Sequence, residues 1–484
     1  MEKQINLKTL PRKEMYFVLL LVLASGILFF IGKEGWFLND DFFLLDKASS
    51  LHILQPYYRG LFFRPLAHLT FFLQRSIFGL KFTPYLALNI AIHLFTTLLL
   101  YANLTILAKE NGLEFPSLTG KILVAIFFIH PTGIEVVQWS SARADSLAGL
   151  FTIATIFAFL NKRITLALIF YTLALFSKEI AIALLAPLFI LAWQRERDRH
   201  KKIWLASALI ATLYILLRYA VLKHTFFSSL EQDFMSSIQK TTHLLFYIFL
   251  PNFKYCIKIM SIVPHSLLLI LFFLGLLASS VFSVKLSKKN LYVVFGVWVF
   301  LASSLTSQII GLRYLYLPLI FGVLFIYSLK VKLVLSLKIK HYINVFLVIV
   351  LFLYIHLFGL QMDEFLIHGK MVKTFAKDIF EKKAVFTDKT KTIYNIDFLP
   401  KNPSHFLNRV SFSALLRLYG IGSMDGRILF TVFQGGKLIY SNAPQALKPG
   451  SIKQDFYDRP PHGYLIFFKP DRKIWRIERI VKNF

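Results

Sequence analysis

The chain has 484 residues, of which 56% are hydrophobic and only 17% charged, with a mean hydropathy of +0.60. Soluble domains hold about 45–50% apolar and about 25% charged residues, and the excess here sits in uncharged runs such as Met15–Ile31, Pro84–Leu107, Leu291–Ile310 and Tyr342–Met362. Runs of about 17–25 apolar residues span a bilayer as helices, so a soluble enzyme, a fibrous protein and a disordered chain are excluded. The net charge is +29, and many of the Lys and Arg residues lie in short loops between the runs. That is the pattern of cytoplasmic loops in a membrane protein, and no basic-aromatic module stands apart to bind nucleic acid.

In chain order, the first apolar run follows Lys3, Lys8, Arg12 and Lys13. It lacks a small-residue cleavage site and reads as an uncleaved anchor. Further spans are expected near residues 84–107, 119–131, 144–161, 164–177, 179–193, 203–222, 264–284, 290–308, 312–329 and 341–361, about eleven with the first. Basic clusters recur at Lys162-Arg163, at Arg195 to Lys202, at Lys285, Lys288 and Lys289, and at Lys330 to Lys340. If all are cytoplasmic, the N-terminus is inside and the C-terminus outside. Ile238–Leu250, ended by Pro251, then reads as a re-entrant or interfacial helix rather than another crossing. The expected setting is a multi-pass protein of a bacterial inner membrane.

Two segments read as non-membrane. Residues 33–83 form an outer loop, in which Arg64–Leu80 has the pattern of an amphipathic helix on the membrane surface. The tail from Asp363 to Phe484 drops the long apolar runs. It shows strand-like stretches at Thr392–Phe398, Arg427–Phe433 before Gly435-Gly436, and Gly463–Phe468, which predicts a small extracytoplasmic α/β domain. The expected division is therefore 1–362 for the membrane domain and 363–484 for the tail.

Three charged patches interrupt apolar segments at outer span ends. They are His130-Pro131-Thr132-Gly133-Ile134-Glu135 with Trp139, Arg143 and Asp145; Ser177-Lys178-Glu179; and Arg313-Tyr314-Leu315-Tyr316-Leu317-Pro318. A charge near membrane depth costs about 2.5–3.5 kcal/mol on insertion scales, so it needs a partner or a function. Each patch also has a plainer reading. Asp40-Asp41 could be solvated loop carboxylates, Arg143 with Asp145 or Lys178 with Glu179 could be hairpin-capping ion pairs, and Arg313 could be a snorkelling arginine. Within its own segment Arg313 has no acidic neighbour. His68, His93 and His130 match no zinc spacing and read as hydrogen-bonded helix-end residues. The single Cys256 excludes an internal disulfide.

These residues carry a family resemblance. Trp36-Phe37-Leu38-Asn39-Asp40-Asp41 after the first span, then Phe63-Arg64-Pro65-Leu66 and the helix through Asn89 and His93, resemble the start of GT-C superfamily glycosyltransferases. The likeness is greatest to protein O-mannosyltransferases of the transmembrane and tetratricopeptide-repeat-containing branch and its bacterial relatives. His130-Pro131, Glu135, Trp139, Arg143-Ala144-Asp145, Ser177-Lys178-Glu179 and Arg313 to Pro318 are similar to that branch in order and spacing, over residues 10–330. The tail lacks a tetratricopeptide pattern, so no acceptor carries over from the repeat-bearing members.

The resemblance implies transfer of a sugar, with inversion, from a polyprenyl-phosphate carrier to an acceptor hydroxyl on the outer face. It implies Asp40, or its neighbour Asp41, as general base, and Arg143, Lys178, Arg313 and Arg64 as ligands of the donor phosphate. His68, His130, Glu135, Trp139, Asp145, Glu179, Tyr314 and Tyr316 are implied as supporting residues. The partners are the lipid-linked donor and membrane lipids; some GT-C enzymes need a divalent cation and others do not, which leaves metal dependence open. A transporter or flippase of lipid-linked saccharides, and a polysaccharide ligase or polymerase, are the alternatives. A transporter would bind phosphate midway through the bilayer between repeated halves, and no duplicated halves are visible in the sequence.

Overall fold

A computed structural model describes residues 11–51, 62–195, 197–222, 312–332 and 337–381, four strands in the tail, and a few isolated positions between. The expected segments at Ile238–Leu250, 264–284, 290–308 and Thr392–Phe398, together with Cys256, lie outside the described residues. The described part is dominated by helices. Six of them among the described residues are long and apolar enough to cross a membrane: Arg12–Gly32, Phe82–Lys109, Ser140–Leu160, Trp204–Leu222, Leu312–Leu329 and Lys338–Thr374. This is a helical membrane protein.

Helix α1 spans Arg12–Gly32 and leaves Leu20, Leu23, Ile27 and Phe30 exposed. Such an apolar surface suits lipid rather than water. After it come α2 (Asp40–Lys47), α3 (Pro65–Phe78) and α4 (Phe82–Lys109). Helices α5 (Leu118–Ile129) and α6 (Pro131–Gln138) meet at a 44° bend. Pro131 cannot donate the hydrogen bond that would continue α5, and the His130 ring accepts from the Thr132 N–H at 3.2 Å, capping α6. Helices α7 (Arg143–Leu160), α8 (Ile164–Ser177), α9 (Leu185–Arg195) and α10 (Arg197–Leu222) follow, with a 3-10 turn at Glu179–Leu184 between α8 and α9. The described chain resumes at a 3-10 turn, Leu312–Leu315, which leads into α11 (Tyr316–Lys332) and then α12 (Leu337–Glu381).

Helix α12 differs from the expected span 341–361. It runs 45 residues, about 67 Å at 1.5 Å per residue, against a hydrocarbon core about 30 Å thick. The helix therefore continues past the apolar run through Asp363–Glu381 without a break. In the tail, β1 (Thr431–Gln434) pairs antiparallel with β2 (Lys437–Ser441), and β3 (Gly463–Lys469) pairs antiparallel with β4 (Ile474–Ile480).

The chain forms two compact units. One comprises residues 1–32, 51–70 and 83–362; the other comprises 33–50, 71–82 and 363–484. In the second unit, Asp40 and Asp41 do not lie in a loop, as the sequence suggested, but open helix α2. Asp41 is fully buried, and its Oδ2 accepts the Leu38 N–H at 3.0 Å. An acidic first turn complements the positive end of the helix dipole. At the other end of α2 the Arg75 guanidinium donates to the carbonyls of Leu45 and Asp46, and the Ser49 N–H and hydroxyl also donate to the Asp46 carbonyl, so the last carbonyls of the helix are satisfied from outside it. Trp36, Phe37, Phe42 and Phe82 pack edge to ring around this helix.

Candidate active site

In the first unit, long-range contacts bring the charged patches together. Helix packing explains why the contacts are long-range. Residues two apart on a helix do not face one another, which sets Arg143 and Asp145 on different sides of α7. Instead Lys178 forms its ion pair with Asp145 of α7, and Glu179 takes both oxygens to Arg64: Nη2 donates to Oε1 at 2.7 Å and Nε to Oε2 at 3.1 Å. This two-bond fork is the geometry in which guanidinium holds a carboxylate best.

Arg313 also has an acidic partner, contrary to the expectation drawn from its own segment. The turn Leu312–Leu315 packs on α6, which sets Arg313 Nη1 3.6 Å from Glu135 Oε1, while the Arg313 N–H donates to Glu135 Oε2 at 3.2 Å. The Arg313 guanidinium lies 4.2 Å from the centre of the Trp139 ring and 5.3 Å from that of Tyr314. The Lys178 ammonium lies 4.6 Å from the same Tyr314 ring. Tyr314 is thus an aromatic bridge between two cations, each drawn to the negative face of its π system.

Arg218 joins this group from α10 and acts electrostatically on Glu179 alongside Arg64 and Lys178. Sequence reading passed over it, although an arginine inside the apolar run Trp204–Leu222 is the signal that an intramembrane charge has a role. Among the described residues, four cations (Arg64, Lys178, Arg218, Arg313) face three carboxylates (Glu135, Asp145, Glu179). The cluster is composed of side chains in or beside apolar helices, where charge interactions are weakly screened. Chemically, it suits an anionic group.

Arg143 takes a different position from the one expected of a phosphate ligand. It is fully buried. Its Nε donates to Asn89 Oδ1 at 2.7 Å, Nη1 to Thr70 Oγ1 at 3.2 Å and Nη2 to the Tyr85 carbonyl at 3.4 Å. Asn89 in turn donates to the Val137 carbonyl at 3.0 Å. Arg143 and Asn89 together tie α3, α4, α6 and α7, a framework on which Asp145 and Glu135 are mounted. Asn89, Thr70 and Tyr85 are uncharged, and no spacing rule in the sequence reveals such neutral partners.

Tyr316 likewise turns away from Tyr314. Its hydroxyl meets His93 Nδ1 at 2.8 Å, and His93 Nε2 lies 3.0 Å from the Phe128 carbonyl. A carbonyl only accepts, so Nε2 carries the hydrogen and Nδ1 accepts from Tyr316. A Cβ on Gly149 would come within 2.6 Å of the Tyr316 ring; the missing side chain lets α11 approach α7 and carries the Arg313 turn to its place. His68 is buried in α3, and His130 packs edge-on against Tyr354 at 4.9 Å. Among the described residues no group of three or more His, Cys, Asp or Glu side chains converges as a metal-ligand set.

In the second unit, Asp40 is the first residue of α2 and is partly exposed, whereas Asp41 is buried against Leu38. The residue before them, Asn39, has φ 35° and ψ −110°. Asn tolerates positive φ better than most residues, and strained backbone of this kind concentrates at functional sites. No protein-family model matches this chain, and no curated protein or solved structure matches it.

Proposed function

We propose that the protein is a membrane glycosyltransferase of GT-C type that moves a sugar from a polyprenyl-phosphate carrier to an acceptor hydroxyl at the extracytoplasmic face. The observation that carries this reading is the cationic cluster of Arg64, Lys178, Arg218 and Arg313, assembled from four separate segments together with Glu179, Asp145 and Glu135. A protein does not gather that many charges among apolar helices without a ligand or a structural need. A lipid phosphate, whose charge grows as it leaves, is the ligand such cations stabilise most.

In the proposed step Asp40 takes the proton of the acceptor hydroxyl and the oxygen attacks the anomeric carbon from the face opposite the phosphate. The bond between that carbon and the phosphate oxygen breaks, releasing polyprenyl phosphate. Exposure favours Asp40 over Asp41 for this role, because a base must reach the proton it abstracts, while Asp41 is committed to the Leu38 N–H. Arg143 is assigned to the framework instead of the phosphate. About eleven crossings with an outside C-terminus, and an extracytoplasmic tail domain, complete the proposal.

The test is transfer of radiolabelled sugar from synthetic polyprenyl-phosphate mannose by purified protein in nanodiscs, with washed membranes as acceptor source. Labelled product released from the lipid supports the enzyme. Movement of intact donor between leaflets of proteoliposomes, with no bond cleavage, would favour a flippase instead.

A further inference from the structure

We infer that Gly369 of α12 is a positioning residue for the Asp40 helix: it lets the end of the last long helix lie directly on the backbone of Gly35 and Trp36, and so fixes where α2 begins. The role assigned to Asp40 rests on the proposed function; the contact does not.

Glycine inside a helix costs about 1 kcal/mol relative to alanine, so its presence calls for a packing reason. At Gly369 the reason is on the backbone of another segment. A Cβ built there would stand 2.6 Å from the Trp36 nitrogen and 3.3 Å from the Gly35 carbonyl carbon and Cα. These are main-chain atoms, which cannot swing aside as the end of a flexible side chain can. The same helix carries Gly359, where an added Cβ meets nothing within 4 Å. Residues 33–50 and the end of α12 belong to one compact unit, and Phe365, His368, Val372 and Ala376 make the buried stripe of the helix beside Gly369, with the spacing of a single helical face.

From Gly35 to Asp40 only four residues intervene, and they are tightly held. The Trp36 and Phe37 rings pack on Phe42, the Leu38 N–H is tied to Asp41, and Asn39 has positive φ. This stretch has no slack to absorb a push at Trp36. A displacement there passes to the first turn of α2 and to the Asp40 carboxylate. Misplacing a catalytic group by about 1 Å can cost about 10²-fold in rate, so a methyl group at Gly369 reaches the chemistry without touching substrate.

Hydrogen exchange of the full-length protein in nanodiscs tests the contact, and turnover of polyprenyl-phosphate mannose, with washed membranes as acceptor source, tests its consequence. Gly369→Ala is expected to speed exchange in peptides covering residues 33–50, leave α4 and α7 protected as in the wild type, and lower kcat about tenfold or more with donor KM within about twofold. Gly359→Ala is the control and should change neither. Unaltered exchange in 33–50 for Gly369→Ala would overturn the inference, as would a rise in KM with kcat kept. If the wild type turns over no donor, the proposed function fails while the exchange result still decides the contact. Should Gly369→Ala not accumulate, p-benzoylphenylalanine at Trp36 in an otherwise native chain should cross-link to residues 365–373; adducts only elsewhere would refute the contact.

Discussion

Arg313 and Glu135 pose the residue-scale question, because one guanidinium has two demands on it. Removing one partner of a buried ion pair leaves the other desolvated and costs about 3–5 kcal/mol. Arg313→Ala should therefore lower both the melting temperature and the donor affinity. The double variant Arg313→Ala/Glu135→Gln removes the stranded carboxylate, and should recover most of the melting temperature while donor affinity stays weak. If donor binding returns together with stability, Arg313 serves only the fold. Arg313→Lys keeps the charge but loses the fork geometry, so partial binding is expected.

The two aspartates should separate in the same way. Asp40→Asn is expected to lower turnover by about 10²–10⁴-fold, with the melting curve unchanged. Asp41→Asn keeps an oxygen that can accept the Leu38 N–H and should retain most activity. Asp41→Ala loses that acceptor and should destabilise by about 0.5–2 kcal/mol, as lost helix-start hydrogen bonds do. Initial rates alongside thermal melts of the three variants check the assignment; an inactive Asp41→Asn with an active Asp40→Asn would exchange the roles.

At the scale of elements, Arg143 decides how α3, α4, α6 and α7 hold together. Arg143→Ala would orphan Asn89 Oδ1, at about 1–3 kcal/mol for a buried acceptor, and would remove the bond that ties α7 to Thr70 of α3. Against the 5–15 kcal/mol typical of a folded domain, that loss should show as poor accumulation in membranes, measured by fluorescence size exclusion. A normal elution profile for Arg143→Ala would return this residue to the list of ligands. The elements themselves were largely readable: α1, α4, α7, the later part of α10 and α11 follow from apolar length. Helix α2 was not, since Asp40-Asp41 read as carboxylates of a non-membrane loop. Asn39 ahead of two acidic residues is in retrospect a helix-start signal. The continuation of α12 beyond Met362 was hidden for the opposite reason: the apolar run stops there, but a helix needs no lipid to continue.

For the whole molecule, the sequence marked which charges stand out but not which ones meet. Sequence neighbours suggested Arg143–Asp145 and Lys178–Glu179; the folded chain pairs Lys178 with Asp145, Arg64 with Glu179 and Arg313 with Glu135. Pairings over 33, 115 and 178 residues depend on how the helices pack, and no local pattern encodes that. The orientation of the bundle is a separate expectation from the loop charges. A reporter fused after Lys162 should behave as cytoplasmic and one after Glu381 as extracytoplasmic; a cytoplasmic signal after Glu381 would remove the odd number of crossings.

The central claim is that the cationic cluster and Asp40 together move a sugar off a lipid phosphate. The most direct measurement is single-turnover release of polyprenyl phosphate from radiolabelled polyprenyl-phosphate mannose by purified wild type, Arg313→Ala/Glu135→Gln and Asp40→Asn in nanodiscs, with washed membranes as acceptor source and donor binding followed in parallel. The account predicts release by the wild type, weak binding with slow release by the double variant, and normal binding with release slowed about 10²-fold or more by Asp40→Asn. Wild-type protein that binds the donor and never cleaves it would contradict the account.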